Sequence, residues 1–322
     1  MNLSRWLFAW VLGVAMLFQT ATASAEVRHL AYLVSDARIP FWVIMKRGIE
    51  SRAAALGYRV DVYSAQNDAR LELEHAIKAI NEKVDGIILS PTNSSAAVTV
   101  LQLAKAAHIP VVIADIGADA GDYVSYIASD NSAGAYQLGK TLVHAMQPMQ
   151  DKLGRIGIIA IPQKRENGRA RTDGFMQALR EAGVPAAEIY QQVDFSYRET
   201  YEFSKQLIAK HPDLRAIWLQ GSDRYQAALD AIKHSGKTGN ILLICFDAEP
   251  AFIDMIKRGV LVGAGMQQPY LIGELSVTSL RDHLANKPVP KKQQVPVLVV
   301  NQRNIRQLLP TIQRNVLGLM DK

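Results

Sequence analysis

The residues best placed to do chemistry in this chain follow apolar, strand-like runs instead of clustering in one motif. After Leu30–Val34 comes Ile39-Pro40-Phe41-Trp42, after Val84–Leu89 comes Ser90-Pro91-Thr92, and Val111–Ala114 is followed by Asp115. Farther along, Phe195, Ser222-Asp223, Asp247 and Gln267 stand in the same relation to the runs before them. Carboxylates, hydroxyls, an amide and aromatics thus recur at one structural place in successive units, and core packing alone does not call for that. Open parallel sheets bind ligands beyond the carboxyl ends of their strands. Side chains of these types would supply acceptors, a group that both donates and accepts, and apolar ring faces there.

No constellation able to run a reaction accompanies them. The seven histidines (His29, His75, His108, His144, His211, His234 and His283) show no HExxH or other close metal-ligand spacing. There is no G-x-S-x-G nucleophile elbow. Gly236-Lys237-Thr238 has the end of a phosphate loop, but Ala231 stands where its first glycine belongs, so a helix C-cap is the better reading of Gly236. "GAGMQQ", from Gly263, lacks the third glycine of a dinucleotide fingerprint. Cys245 lies inside an apolar run and reads as a buried, inert thiol. Neither an enzyme nor a cofactor is expected.

The elements that must position these residues alternate. Strand-like runs fall at Tyr58–Tyr63, Tyr123–Ile127, Arg155–Ala160, Ile189–Val193, Ala216–Leu219 and Ile241–Phe246, besides the three above. Between them lie amphipathic stretches such as "RLELEHAIKAINEK" and "RETYEFSKQLIAKH", with apolar residues three and four apart. That alternation, with short connections, predicts an α/β protein with parallel sheets. At 322 residues the chain can bury two cores, yet no Pro/Gly/Ser-rich linker divides it. Hydrophobic residues at 49% and charged residues at 20% describe a globular chain. The net charge of +6 is scattered among acids without a basic run, so no nucleic-acid surface is expected.

The N-terminus carries Arg5, an apolar stretch from Trp6 to Phe18, and Ala23-Ser24-Ala25, a small-x-small cleavage pattern. The stretch is shorter than the ~20 residues of a spanning helix. Residues 1–25 therefore read as a cleaved signal peptide, and the mature chain begins near Glu26 with a charge of +5, one Arg and no acid having been lost. A single cysteine excludes an internal disulfide, and none sits at the cleavage site for lipid attachment. The expected location is the periplasm.

Taken in order, several segments resemble the type I periplasmic sugar-binding proteins, the ribose- and galactose-binding kind, from about residue 28 to 302. They are "SPTNSSA", "IPVVIAD", "IASDNSAGAYQLG", "RTDGFMQAL" and "CFDAEPAFIDMIKRGVLVGAGMQQPYLIGELSVTSLRDHLANKPVP". The resemblance implies two Rossmann-like α/β lobes joined by three crossings, near Ser129-Asp130, Gln267-Gln268 and Val295-Pro296. The first lobe would comprise residues 26–129 plus 268–295, and the second residues 130–267 plus 296–322, including a C-terminal extension. A small ligand, a sugar or polyol, would lie in the cleft between lobes that close by a hinge. An ABC permease would receive it from a monomeric binding protein. The alternative reader is a membrane sensor kinase or chemoreceptor.

By the same resemblance the ligand-facing residues are Phe41, Trp42, Ser90, Asp115, Ile116, Arg171, Phe195, Ser222, Asp247 and Gln267, with Ile39 beside them. Plainer roles compete for some of these: Asp115 and Asp247 could cap helices, and Arg171 could pair with Asp173 or Glu166. The chain also departs from the pentose and hexose binders. Ile39 replaces an amide, Ile116 an arginine, and Ser90 and Ser222 two amides. The departures predict a ligand with fewer hydroxyls, or a bulkier and partly apolar one.

Overall fold

The computed structural model describes residues 27–149 and 154–319, so the leader assigned to residues 1–25 lies outside the described residues. The runs that are apolar throughout become strands buried on both faces. His29–Val34 (β1), Gly86–Ser90 (β3), Val111–Ala114 (β4) and Ser125–Ser129 (β5) are buried along nearly their whole length, as parallel strands covered by helices must be. With Arg59–Ser64 (β2) and Lys292–Val295 (β11) they form a six-stranded, wholly parallel sheet in the order β11-β5-β4-β3-β1-β2.

A second six-stranded sheet repeats the plan. Arg155–Ala160 (β6), Ala186–Gln191 (β7), Leu214–Leu219 (β8), Leu242–Phe246 (β9), Gly263–Met266 (β10) and Leu298–Asn301 (β12) run in the order β12-β10-β9-β8-β6-β7. Its pairs are parallel except β10 with β12, which is antiparallel. In each sheet the winding direction reverses beside the first strand, between β1 and β3 and between β6 and β8. Such a reversal opens a crevice at the carboxyl ends of the strands.

Helices flank both sheets: Pro40–Ala55 (α1), Ala69–Asn81 (α2), Ala96–Ala106 (α3), Asn131–Met146 (α4), Glu166–Glu181 (α5), Tyr197–Lys210 (α6), Tyr225–His234 (α7), Phe252–Lys257 (α8), Pro269–Leu284 (α9) and Ile305–Thr311 (α10). Pro40 opens α1, where its missing N–H costs nothing. Gly236 follows α7 with φ +65°, the left-handed conformation of a helix-terminating glycine. The chain passes from one sheet to the other three times: from β5 into α4, which packs on β10 and β12, from β10 into α9, which packs on β3, β4 and β5, and between β11 and β12.

Beyond α10 a π-helical turn, Ile312–Val316, continues the tail. Ile312, Val316 and Leu317 join the core of the second sheet, while polar groups reach the helices of the first. Arg47 of α1 donates to the Leu317 carbonyl at 2.9 Å, Arg314 pairs with Glu274 of α9 at 2.9 Å, and Asn315 Nδ2 donates to Gln268 Oε1 at 2.7 Å.

Several strand boundaries differ from the sequence reading by one to three residues, and two short strands were not expected. The run expected at Ile189–Val193 lies three residues earlier, at Ala186–Gln191, because β7 is an edge strand that leaves the sheet at Gln192, and Val193 is 79% exposed. Of the short strands, β11 ("KQQV") carries almost no apolar residues, and β12 ("LVVN") is only four residues long after Pro296.

The closest helix contacts rest on glycine. Gly48, ninth in α1, and Gly174, ninth in α5, occupy matching places, and a Cβ on either would stand 2.1 Å from a backbone oxygen, of Tyr270 and Ser132 respectively. Backbone cannot yield as a side-chain tip can. Gly48→Ala and Gly174→Ala are each expected to lower the unfolding free energy by about 1–3 kcal/mol, measured by urea denaturation. An unchanged midpoint would refute the close approach.

Candidate functional site

Two aspartates mark corresponding points of the two sheets. Asp115 leaves β4 with φ +69° and donates its N–H to the Ile127 carbonyl of β5 at 2.8 Å. Asp247 leaves β9 with φ +66° and donates to the Gly265 carbonyl of β10 at 2.9 Å. Aspartate tolerates the left-handed region better than most residues. Neither caps a helix: α8 begins after Ala251, and Asp115 precedes the turn to β5.

Between them lies Arg171, only 2% exposed. Its Nε donates to Asn131 Oδ1 at 2.8 Å, and its Nη1 donates to the Gln220 carbonyl at 2.7 Å and stands 3.5 Å from Asp247 Oδ2. The guanidinium carbon sits 4.1 Å from the centroid of the Phe246 ring, a cation–π arrangement. Arg171 is thus committed to the cleft and not to Asp173 or Glu166. Gln267, 2% exposed, donates its Nε2 to Asp247 Oδ1, which leaves Oε1 without a hydrogen-bond partner.

The lobes touch across this region. Asn167 Nδ2, from α5, donates to Asp115 Oδ2 at 3.0 Å. Arg165, 8% exposed, donates from Nε to the Thr92 carbonyl at 3.2 Å and from Nη2 to Asn67 Oδ1 at 3.1 Å, with the Phe195 ring centroid 5.8 Å from its guanidinium carbon. The Glu166 N–H donates to Ser94 Oγ at 3.2 Å. Burial, with the Asp247 charge adding to it, pushes the Asp115 carboxyl up to about 6 against the pull of Arg171 and Arg165. Under the same rim, burial pushes Glu72 up to about 7 although its Oε2 accepts the Thr92 N–H at 2.5 Å. Asp115 Oδ1, Asn167 Oδ1 and Glu72 Oε1 have no hydrogen-bond partner among the described residues.

A cavity of about 40 Å³ lies between the lobes. Ile39, Pro40, Phe41 and Ile44 form its first-lobe wall, and Ser222, Asp223, Asp247, Ala248 and Glu249 form its second-lobe wall. Gln267, Pro269 and the tail residue Val316 close the side. Of the residues singled out from sequence, this cavity brings together Ile39, Phe41, Ser222, Asp247 and Gln267. Arg171 stands behind Asp247, Asp115 joins through Asn167, and Phe195 sits at the rim under Arg165. Trp42, Ser90 and Ile116 face inward. Trp42 (4% exposed) and Ile116 (0%) pack in the first-lobe core, with Trp42 edge-on to Phe41 at 4.8 Å between centroids. Ser90 Oγ lies 3.3 Å from the Tyr32 hydroxyl and 3.6 Å from Met45 Sδ. The sequence reading did not assign a role to Asp223, Glu249, Asn167 or Arg165. Asp223 and Glu249 flank assigned residues, whereas Arg165 and Asn167 meet partners 73 and 52 positions away, which no local pattern reveals.

Two similar lobes with acceptor-lined strand ends facing across a cleft define a bilobal binding protein. The chain belongs to the periplasmic binding protein domain family, whose profile it matches over residues 30–288. It is 31% identical over 294 residues to a ribose import binding protein of Haemophilus influenzae, covering 91% of this chain and 97% of that one. A ribose import binding protein of Bacillus subtilis is 31% identical over 274 residues, 84% of this chain and 86% of that one. The D-allose-binding periplasmic protein of Escherichia coli is 25% identical over 288 residues, 85% and 89% of the two chains. The fold is shared with a carbohydrate transporter solute-binding protein of Agrobacterium radiobacter solved with D-arabinose, with a TM-score of 0.83, 20% identity, and 91% and 100% of the two chains covered.

Because Asp115 and Glu72 hold their protons more tightly folded than unfolded, the stability they contribute is whole below the ordinary carboxylate range. It is lost as the pH rises through about 6 and about 7. The ligand-free protein is expected to lose stability at these groups between about pH 4 and 7, and Glu72→Gln to flatten that slope. Urea denaturation across a pH series checks this, and an unaltered slope in the variant would contradict it.

Proposed function

We propose that this chain captures a small polyhydroxylated ligand, a sugar or polyol, between its lobes and presents the closed form to the permease of an ABC importer from the periplasm. What carries the reading is the Asp115–Arg171–Asp247–Gln267 group, buried between two lobes beside Phe41, in a chain of the periplasmic binding protein family. The relatives are named for import of ribose and binding of allose, which supports the sugar class. The chemistry is binding only: hydroxyls donate to Asp115, Asp247 and Gln267, Phe41 and Phe195 cover C–H faces, and Ser222 and Arg171 complete the polar side. Trp42 backs Phe41, while Ser90 and Ile116 pack behind the cleft in the first lobe. A hydrogen bond to a charged partner contributes ~1.5–3 kcal/mol, and an unpaired buried partner costs about as much, so a ligand lacking one hydroxyl is rejected.

Hinge closure follows from size. One water needs roughly 10–15 Å³ of such space, so the cavity of about 40 Å³ admits a sugar ring only when the lobes part. The contacts of Arg165, Asn167 and Glu166 are among those that parting breaks. The replacements at Ile39, Ile116, Ser90 and Ser222 favour a ligand other than ribose.

Thermal unfolding of residues 26–322 against pentoses, hexoses, polyols and cyclitols tests the reading, with small-angle scattering for closure. A ligand at about 100 times its dissociation constant adds ~2.7 kcal/mol, a shift of several degrees, together with a smaller radius of gyration. Asp247→Ala and Arg171→Ala should each weaken that ligand by about tenfold or more. No shift and no compaction with any sugar or polyol would overturn the proposal.

A further inference from the structure

The side-chain donors on the cavity wall are largely engaged by acids. Ser222 Oγ donates to Glu249 Oε1 at 2.8 Å, and Gln267 Nε2 donates to Asp247 Oδ1. The Gln267 amide is oriented by that bond, since only its nitrogen can donate to a carboxylate. Apart from the second N–H of the Gln267 amide, what the side chains here offer a ligand is acceptors: the carboxylates of Asp223, Asp247 and Glu249, and the Gln267 Oε1, which has no hydrogen-bond partner among the described residues.

The charges do not balance either. The wall carries three carboxylates and no lysine, arginine or histidine. Asp223 pairs with Arg224 at 3.1 Å, and Asp247 has Arg171 at 3.5 Å. Glu249 makes no ion pair among the described residues, and Ser222 is its hydrogen-bond partner. The opposite wall, with Ile39, Phe41 and Ile44, offers an aromatic ring and aliphatic carbon. Closing a neutral sugar into this space would desolvate the Glu249 carboxylate with no cation in contact with it among the described residues, which is costly for a buried ion. A protonated amine supplies the missing charge and up to three donors, and it is also attracted to an aromatic face.

Resting on the sugar-binding reading above, we propose that the ligand is an amino sugar or amino polyol, whose ammonium group lies against Glu249, Asp223 and Gln267 Oε1 while its hydroxyls meet Asp247 and Asp115. The raised proton affinity of Asp223 and Glu249, caused first by burial, with neighbouring acids adding to it and Arg224 opposing it, agrees with a wall where acids outnumber cations. The aliphatic replacements at Ile39 and Ile116 take no part in this recognition.

The test is titration calorimetry of residues 26–322 with matched pairs: D-glucosamine, D-galactosamine and D-mannosamine against D-glucose, D-galactose and D-mannose, with 1-deoxynojirimycin as a ring amine. It is run at about pH 6.5, below the ordinary range of such amines. At least one amine is expected to bind about tenfold or more tightly than its neutral partner. Glu249→Gln and Asp223→Asn, which keep size and hydrogen bonding, should bring that ratio towards one. Neutral sugars binding as well as or better than their amino partners would overturn this inference and leave the sugar-binding reading standing. Binding by neither set, in calorimetry and in thermal unfolding alike, would overturn both.

Discussion

Arg171 is a full cation buried between two sheets, and much of the site is arranged around that fact. An isolated charge there would be prohibitive, and a buried ion pair is tolerated only when its remaining donors are satisfied. Each solution found for Arg171 ties in another element: Asn131 at the start of α4, the Gln220 carbonyl at the end of β8, Asp247 after β9, and the Phe246 ring beneath. Asp247 in turn fixes Gln267 on the crossing to α9. One buried guanidinium thus sets the geometry of four segments far apart in sequence, including the starts of two helices that follow crossings between the sheets.

The same logic explains the acids. Asp115 and Asp247 occupy matching strand ends in two sheets of identical order, each with a left-handed backbone and each hydrogen-bonded to the neighbouring strand. Their environments nevertheless differ. Asp247 has a cation within 3.5 Å, whereas Asp115 is bonded to an amide and is held near neutrality by burial. Duplicated architecture has produced one acceptor set beside a cation and one whose proton affinity burial raises.

Much of this was legible in the sequence, for identifiable reasons. Fully apolar runs gave the inner strands, and the residues just after them gave the cleft, because chain topology dictates both. Side-chain direction was harder to read. In α1, Trp42, Met45, Ile49 and Ala53 share the core-facing stripe at spacings of three and four, while Phe41 and Ile44 fall on the flank that meets the cavity. Ser90 belongs to β3 as its last residue and turns to Tyr32, not outward. Arg165 and Asn167 were hidden for another reason: their partners belong to the other lobe, and a single sequence carries no trace of such distant pairing. The edge strands β11 and β12 escaped notice because four residues are too few for a period, and β11 is polar as well.

The antiparallel course of β12 has a mechanical consequence. A parallel edge strand would have delivered the following segment to the cleft side of the sheet at once. Instead β12 starts beside the third crossing and runs away from it, so α10 and the π-helical turn must bring the chain back, and Asn315, Arg314 and Leu317 arrive against α9 and α1 of the other lobe. With Val316 set into the cavity wall, the tail acts as a fourth link beside the three crossings. Such a linkage resists twisting of one lobe over the other and leaves a clamshell rotation about the line of the links as the softest motion. The returning tail thereby gives the hinge a direction as well as a place.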